Sequence, residues 1–501
     1  MARNSRTPGI NTHTHILAFV KHSSDAISNM KVVGVAQIVV VTLNQIATLI
    51  VARVLVPNDF GIYAACLVFI NMAGFLSTFG LDAALINRQA GVERAFETAS
   101  TVRFVLACLA ALIFFVASPW VADLMRLPDL LDPLRVSSLA FVISALGFES
   151  STRLSKNLQF IPLSVTKIVN SVAWSVGALV LAYLGWGKWS LIFAYFVGTM
   201  SMIAALWFFQ PWKIRHRLDA RLLRELLRYG VFVAGTGVFA FLVWNLDKIA
   251  VGAVLADSAL LGVYWIAVNY GTIIPNLFTG VVTGVLFPTF SSVQQDKEKV
   301  RRSYLLALKY LGYISIPIGV GLAATSETLI RILFGPQWIQ AATPMALFSI
   351  VGILGSLTSP AGSVFLATGN PHKMFVQTVG TAIPFLVFLV PAVYYGGLVG
   401  VALLFFATAL AALIWVFLMV SEILHFSTLK EFRALLAPLG ASIGIVAVCI
   451  VVRIELGVTL LALVTEVALA VAAYALLISL FTKGQAIRDV RGLLSRRSSD
   501  H

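Results

Sequence analysis

Apolar residues arrive in runs of about twenty, the length a helix needs to cross a bilayer, and short polar breaks divide one run from the next. Fourteen such runs can be read, roughly 33–53, 60–81, 101–119, 134–152, 164–184, 189–209, 230–255, 260–290, 304–325, 342–367, 374–394, 397–420, 435–452 and 458–481. The fourth is weak, because "ALGFESSTRL" turns polar at its end. The eighth is long enough to be tilted, kinked at Pro275 or extended past the bilayer. The pattern predicts an all-α integral membrane protein of about 14 transmembrane helices.

Polar residues inside the runs fall on stripes. At helical spacing, Gln37, Asn44, Gln45 and Thr48 share a face of the first run, and Asn71, Thr78 and Asp82 a face of the second. Trp244, Asn245, Lys248 and Gly252 do so in the seventh, as do Trp265, Asn269, Thr272, Asn276, Thr279 and Thr283 in the eighth. Polar groups in hydrocarbon are costly unless they meet partners or water. One reading is hydrogen bonding between packed helices; the other is the wall of a wet cavity. Matching stripes in two halves of the chain favour the cavity. Gly280-x-x-x-Gly284 reads only as close packing, and the last two runs carry no stripe, only a lone Glu466.

Composition agrees with the membrane reading. The 501 residues are 59% hydrophobic and 12% charged, against roughly 25% charge in soluble domains; mean hydropathy is +0.92. The net charge of +14 is a topology signal and needs no nucleic acid. With the N-terminus in the cytoplasm, both tails and alternate loops with their helix ends collect 29 of the 36 Lys and Arg. The opposite side collects six, Arg53, Arg126, Arg135, Lys188, Arg331 and Arg453, while Lys248 stays inside a span. Both termini are therefore expected in the cytoplasm. The polar residues 1–30 lack an apolar h-region, so no cleavable signal peptide is expected.

The longest basic segment is 210–229, "QPWKIRHRLDARLLRELLRY", whose leucines at helical spacing predict an interfacial amphipathic helix. It divides the chain after six spans, an even number, so spans 7–12 enter the membrane in the same sense as spans 1–6. A faint repeat agrees: Val54-Leu55 then Gly61-x-Tyr63, against Val254-Leu255 then Gly262-x-Tyr264. The expected organisation is a cytoplasmic tail (1–30), a six-helix lobe (31–209), the linker (210–229), a second six-helix lobe (230–420), an extra helix pair (421–481) and a basic cytoplasmic tail (482–501).

Other chemistries find no foothold. There is no GxxxxGK[ST], so no built-in ATPase is expected. The seven His are scattered, no catalytic triad is credible, and no metal or cofactor is expected. Asp123, Asp129 and Asp132 are better read as solvating a short helix than as glycosyltransferase acids. Cys66, Cys108 and Cys449 lie in apolar runs, which argues against a disulfide framework.

Several segments carry a resemblance: "ARVLVPNDFGIYA" (52–64), "FGLDAALINR" (79–88), "NLDKIAVGAVL" (245–255), "LGVYWIAVNY" (261–270), "VLFPTFSSVQQDKEKVRRSY" (285–304), "LFGPQWIQAATP" (333–344) and "SPAGSVFLATGNP" (359–371). In this order they resemble the polysaccharide transporter family, the oligosaccharide-lipid flippases of the multidrug/oligosaccharidyl-lipid/polysaccharide (MOP) superfamily. The likeness covers about residues 30–425 and looks closest to the exopolysaccharide branch, similar to colanic-acid translocases. It implies two six-helix lobes around a central cavity with a C-terminal helix pair. It also implies an undecaprenyl-diphosphate-linked oligosaccharide as substrate, moved across the bacterial inner membrane by alternating access with no bond made or broken. Polysaccharide polymerase and export machinery are the partners this suggests.

Such a substrate asks for amides, hydroxyls and aromatic platforms for sugar, and cations for the diphosphate. The cavity candidates are Lys248, Arg53, Trp244, Asn245, Asn44, Gln45, Asn71, Asn269, Asn276 and Trp265. Arg53 reads either as a snorkelling cation or as a charge at the cavity mouth. Lys248 is costly at its depth, and adjacent Asp247 is not an obvious partner, since neighbouring side chains on a helix do not face each other. Asp247, Asp82 and Glu149 are candidates for ion coupling. Two rivals are a multidrug or cation antiporter of the same superfamily, which would want an acid-rich lumen, and a glycan polymerase or ligase, which would want a long outer loop.

Overall fold

The computed structural model describes residues 12–78, 81–88, 90–211, 218–273 and 296–482, with the side chains of 12–31, 73–78, 83, 87, 227–240, 244 and 371 outside that description. Among the described residues all regular structure is helical. The N-terminal half holds α1 (Thr12–Val54), α2 (Pro57–Thr78), α3 (Leu81–Asn87), α4 (Val92–Leu124), α5 (Leu131–Ser137), α6 (Leu139–Leu146), α7 (Phe148–Lys156), α8 (Phe160–Tyr183) and α9 (Lys188–Phe209). The C-terminal half holds α10 (Ala220–Leu255), α11 (Ser258–Gly271), α12 (Lys297–Leu329), α13 (Ala342–Ala367) and α14 (Pro371–Ile423). α15 (Leu429–Leu456) and α16 (Leu460–Phe481) complete the chain.

Local chemistry sets the helix ends. Pro57 opens α2 at a position whose N–H would go unused, and Asp59 reaches back to accept from the Val56 N–H at 3.3 Å. Asp219, Asp257 and Asp296 cap α10, α11 and α12, each accepting two backbone N–H groups at 2.8–3.2 Å. Losing such a cap costs about 1 kcal/mol. The Lys299 N–H and ammonium hold the Asp296 carboxyl below the usual carboxylate range.

Among the described residues, nine helices are long and apolar enough to cross a membrane, ten if one bent pair counts as a span. That pair is the weak fourth run: Pro128–Leu146 and Phe148–Lys156 meet at 40°. Gly147 sits at the bend, where a Cβ would stand 3.2 Å from Ile203. α14 counts once but folds back on itself at Gly397 (φ 54°, ψ −139°). Its two ends meet through Lys373 and Glu422 at 2.8 Å, and Phe385 lies 4.6 Å from Phe405. It therefore holds the expected runs 374–394 and 397–420. The second, seventh and eighth runs fall on α2, α10 and α11; most of what remains of the second and eighth runs, Pro275 included, lies outside the described residues.

Two expectations are corrected. Residues 220–229 are no separate interfacial helix, because α10 runs unbroken from Ala220 to Leu255. One leucine of the stripe meets protein: Leu226 is buried with Leu81, Leu85, Phe96 and Phe148, and beside it Glu225 pairs with Arg88 at 3.1 Å. Nor is Glu466 alone. It is fully buried, accepts from the Thr328 hydroxyl at 3.3 Å and has the Arg453 guanidinium 3.7 Å away. Glu431, also fully buried, accepts from the Tyr304 hydroxyl at 2.8 Å. Two acids thus fasten the α15–α16 pair to α12.

Helices pack as neighbours within each half, α1 on α8, α8 on α9, α12 on α13 and α13 on α14. The largest apolar core lies elsewhere, at the end of the molecule where α1 turns into α2 and α10 into α11. There Val51, Phe60, Ile62 and Cys66 of one half pack with Leu261, Tyr264, Ile266 and Trp338 of the other.

Candidate functional site

At that end the two halves cross by way of two glycines. A Cβ on Gly61 would overlap the Ser258 carbonyl and stand 3.1 Å from the Gly262 nitrogen. A Cβ on Gly262 would overlap the Pro57 carbonyl and stand 2.8 Å from the Gly61 nitrogen. Pro57 and Ser258 each precede their glycine by four residues, so the contact is reciprocal, as a local two-fold relation between the halves requires. The Ser258 hydroxyl also donates to the Asn58 side-chain oxygen. The faint Gly-x-Tyr repeat is thus the point where α2 and α11 touch backbone to backbone.

A second contact lies beside the first. The Arg53 Nε donates to the Leu333 carbonyl at 2.5 Å and its Nη2 to the Ile332 carbonyl. In return Trp338 Nε1 donates to the Ala52 carbonyl at 2.9 Å, and Gln337 Nε2 to the same oxygen at 3.4 Å. Carbonyls near a helix end lack intrahelical partners, so each chain end here caps the other. Residues Ile330–Phe334 form a wider π turn, a local irregularity frequent at functional sites. Gly335 (φ 110°, ψ 167°) ends it in a conformation open essentially to glycine alone. Phe60 packs edge-on against Trp338 at 5.1 Å. The segment "LFGPQWIQ" and the α1 end are therefore two parts of one clasp.

Lys248 corrects the sequence expectation. Its Nζ lies 3.1 and 3.2 Å from the two Asp247 carboxylate oxygens. The helix rule concerns the directions of the Cα–Cβ bonds, and a four-carbon stem is long enough to curl back to its neighbour. Asp247 is only 2% exposed and also accepts from the Tyr264 hydroxyl of α11 at 2.8 Å. Burial makes the acid pull hard on both partners, so Asp247, Lys248 and Tyr264 form one triad. Tyr264 is the residue that the sequence reading placed in the repeat but gave no chemistry.

The amides are held mostly by close partners. Asn245 donates to the Phe241 carbonyl and Asn269 to the Trp265 carbonyl, each at 3.0 Å and each one turn back on its own helix. Asn44 accepts from Ser171 of α8 at 2.6 Å. At Gln45 it is the main-chain carbonyl, not the side-chain amide, that accepts from the Tyr270 hydroxyl at 2.7 Å, across the halves. Trp265 is buried, 5.7 Å from Phe60 and 5.9 Å from Tyr63. Asn71 is exposed. Asn276 and the Trp244 side chain lie outside the described residues.

The remaining acids belong to the other end of the N-terminal half. Glu149 is 5% exposed and accepts from Arg153 at 2.9 Å and Ser100 at 3.1 Å. Arg153 also grips Glu93 through two bonds of 2.8 Å, a bidentate pair. Asp82 is half-buried at the start of α3, and Arg103 is buried in α4. Arg103 lies over the Phe148 ring at 4.3 Å and donates to the Ser144 carbonyl. In the sequence, nothing sets Arg103 and Arg153 apart from the other basic residues that mark topology.

Known proteins resemble this chain in sequence and in fold. The Escherichia coli (strain K12) lipopolysaccharide biosynthesis protein WzxC is 25% identical over 437 residues, covering 87% of this chain and 88% of its own. The succinoglycan biosynthesis transport protein ExoT of Rhizobium meliloti (strain 1021) is 26% identical, covering 60% and 61%. Among solved structures, the lipid II flippase MurJ in an inward closed conformation superimposes with a TM-score of 0.76 at 14% identity, covering 91% of this chain and 99% of that one. The family described as "polysaccharide biosynthesis protein" matches residues 50–343, more than half of the 501. The chain belongs to that family of polysaccharide biosynthesis proteins, and it is a multi-pass membrane protein.

Proposed function

We propose that the protein is a flippase that carries undecaprenyl-diphosphate-linked oligosaccharide units across the bacterial inner membrane, for exopolysaccharide or lipopolysaccharide O-antigen biosynthesis. The observation that carries this reading is the reciprocal crossing of Gly61 and Gly262, which shuts one end of a two-half body through backbone contact. A seal of that kind suits alternating access, in which halves part at one end while they meet at the other. The family match and relatives named for polysaccharide biosynthesis and transport support the substrate class. The cations Arg53 and Lys248 suit a diphosphate better than the cationic cargo of an antiporter. No covalent chemistry is assigned to any residue, and polymerase or export proteins are the natural downstream partners.

A deletion strain should accumulate lipid-linked oligosaccharide in the cytoplasmic leaflet, and the full-length gene should clear it. Unchanged lipid-linked sugars in that strain would sink the reading. Movement should draw on an ion gradient, voltage or consumption of product outside. Flipping by the purified protein that needs ATP hydrolysis and no gradient would contradict this.

The orientation follows from the basic residues: termini and the 210–229 segment in the cytoplasm, the Gly61–Gly262 seal at the periplasmic face. Reporter fusions after Arg217 and after Asp129 should report opposite sides of the membrane. A periplasmic signal at Arg217 would overturn the topology.

A further inference from the structure

We propose that Arg53 changes partners during transport: it latches the sealed end through the carbonyls of Ile332 and Leu333, and gives them up to the diphosphate of the departing substrate. This rests on the flippase reading. Three observations carry it. First, among the described residues Arg53 is held by carbonyls, whereas Lys248 is held by a carboxylate. The carbonyls are neutral acceptors, whereas an ionised phosphate adds full charge attraction to the guanidinium and accepts its fork bidentately. An anion can therefore outcompete two carbonyls for Arg53 more readily than it can outcompete Asp247 for Lys248.

Second, the two parts of the clasp differ in access. Arg53 is exposed, while Trp338 is fully buried. A solute can reach the Arg53 part without disturbing the Trp338 part. Third, the carbonyls that Arg53 would release lie in an irregular turn at a helix end, where water can take the guanidinium's place. Release loosens the clasp and leaves the fold intact. The cation at the mouth and the lock on the gate are then one group, so the seal yields when an anion arrives.

The test uses the full-length protein in proteoliposomes, with Cys66, Cys108 and Cys449 replaced by Ala and with Asn58→Cys and Ser258→Cys introduced where those side chains touch. The rate of disulfide formation under mild oxidation reads how often the end is shut. Inorganic pyrophosphate on both sides should slow it by about tenfold, the scale of one charge-assisted bond. Arg53→Lys should keep part of that response, and Arg53→Gln, checked for unchanged thermal stability, should lose it. An equal response in Arg53→Gln, or no response with Arg53 present, would overturn the proposal. If cross-linking ignores pyrophosphate while the deletion strain still accumulates lipid-linked oligosaccharide, the latch is wrong and the flippase reading stands.

Discussion

Leucine at Gly262 should abolish transport while the protein still inserts and accumulates. Alanine alone puts a carbon into the Pro57 carbonyl and 2.8 Å from the Gly61 nitrogen. The clash is with backbone, which has no rotamer to escape into. α2 and α11 would have to separate, and the Asn58–Ser258 contact with them. Helix propensity works the other way, since Gly to Ala favours an isolated helix by about 1 kcal/mol. Any loss must then come from the crossing. Transport should fall by well over tenfold in Gly262→Leu and by a smaller factor in Gly262→Ala, read from accumulated lipid-linked oligosaccharide. Disulfide formation between Asn58→Cys and Ser258→Cys should fail in the leucine variant. Wild-type transport by Gly262→Leu would mean that closure of this end is no part of the cycle.

The second large effect concerns the Asp247–Lys248–Tyr264 triad. Lys248→Ala strands a carboxylate that is 2% exposed, with the Tyr264 hydroxyl as its remaining hydrogen-bond donor among the described residues. Breaking a buried pair from one side typically costs about 3–5 kcal/mol, so low protein level and a lowered Tm are expected. Asp247→Asn should cost less, because Tyr264 can still donate to the amide oxygen. The double variant Asp247→Asn/Lys248→Gln removes both charges together and should recover most of the stability. Its transport then separates two roles. If the ammonium is needed for the diphosphate, the recovered protein stays inactive and Lys248→Arg retains much of the activity. Full activity of the double variant would make the pair structural.

What the sequence made legible follows from what each signal measures. Run lengths respond to the bilayer, so the long apolar helices among the described residues are legible, including the run that breaks at Gly147. Periodicity identified polar faces but could not say whether an amide bonds to its own helix. Asn245 and Asn269 do so, one turn back, and Trp265 is buried among aromatics rather than open to a sugar. The Lys248 partner is not legible in the sequence, because Cβ directions say little about a long stem. Arg53 had two readings, and its actual acceptors lie some 280 residues along the chain, where no local pattern could announce them. Leu226 looked interfacial because the surface it meets, formed by Leu85 and Phe96, exists only in the folded chain.

The reciprocal crossing also bears on inheritance. Pro57 and Gly61 are packed by Ser258 and Gly262, and each pair leaves the other no room for a side chain. A change on one side must be answered on the other, so the two short segments should drift through evolution as one unit although some 200 residues separate them. Hybrids of two relatives should work when the splice leaves both segments with one parent, and should fail when it falls between them.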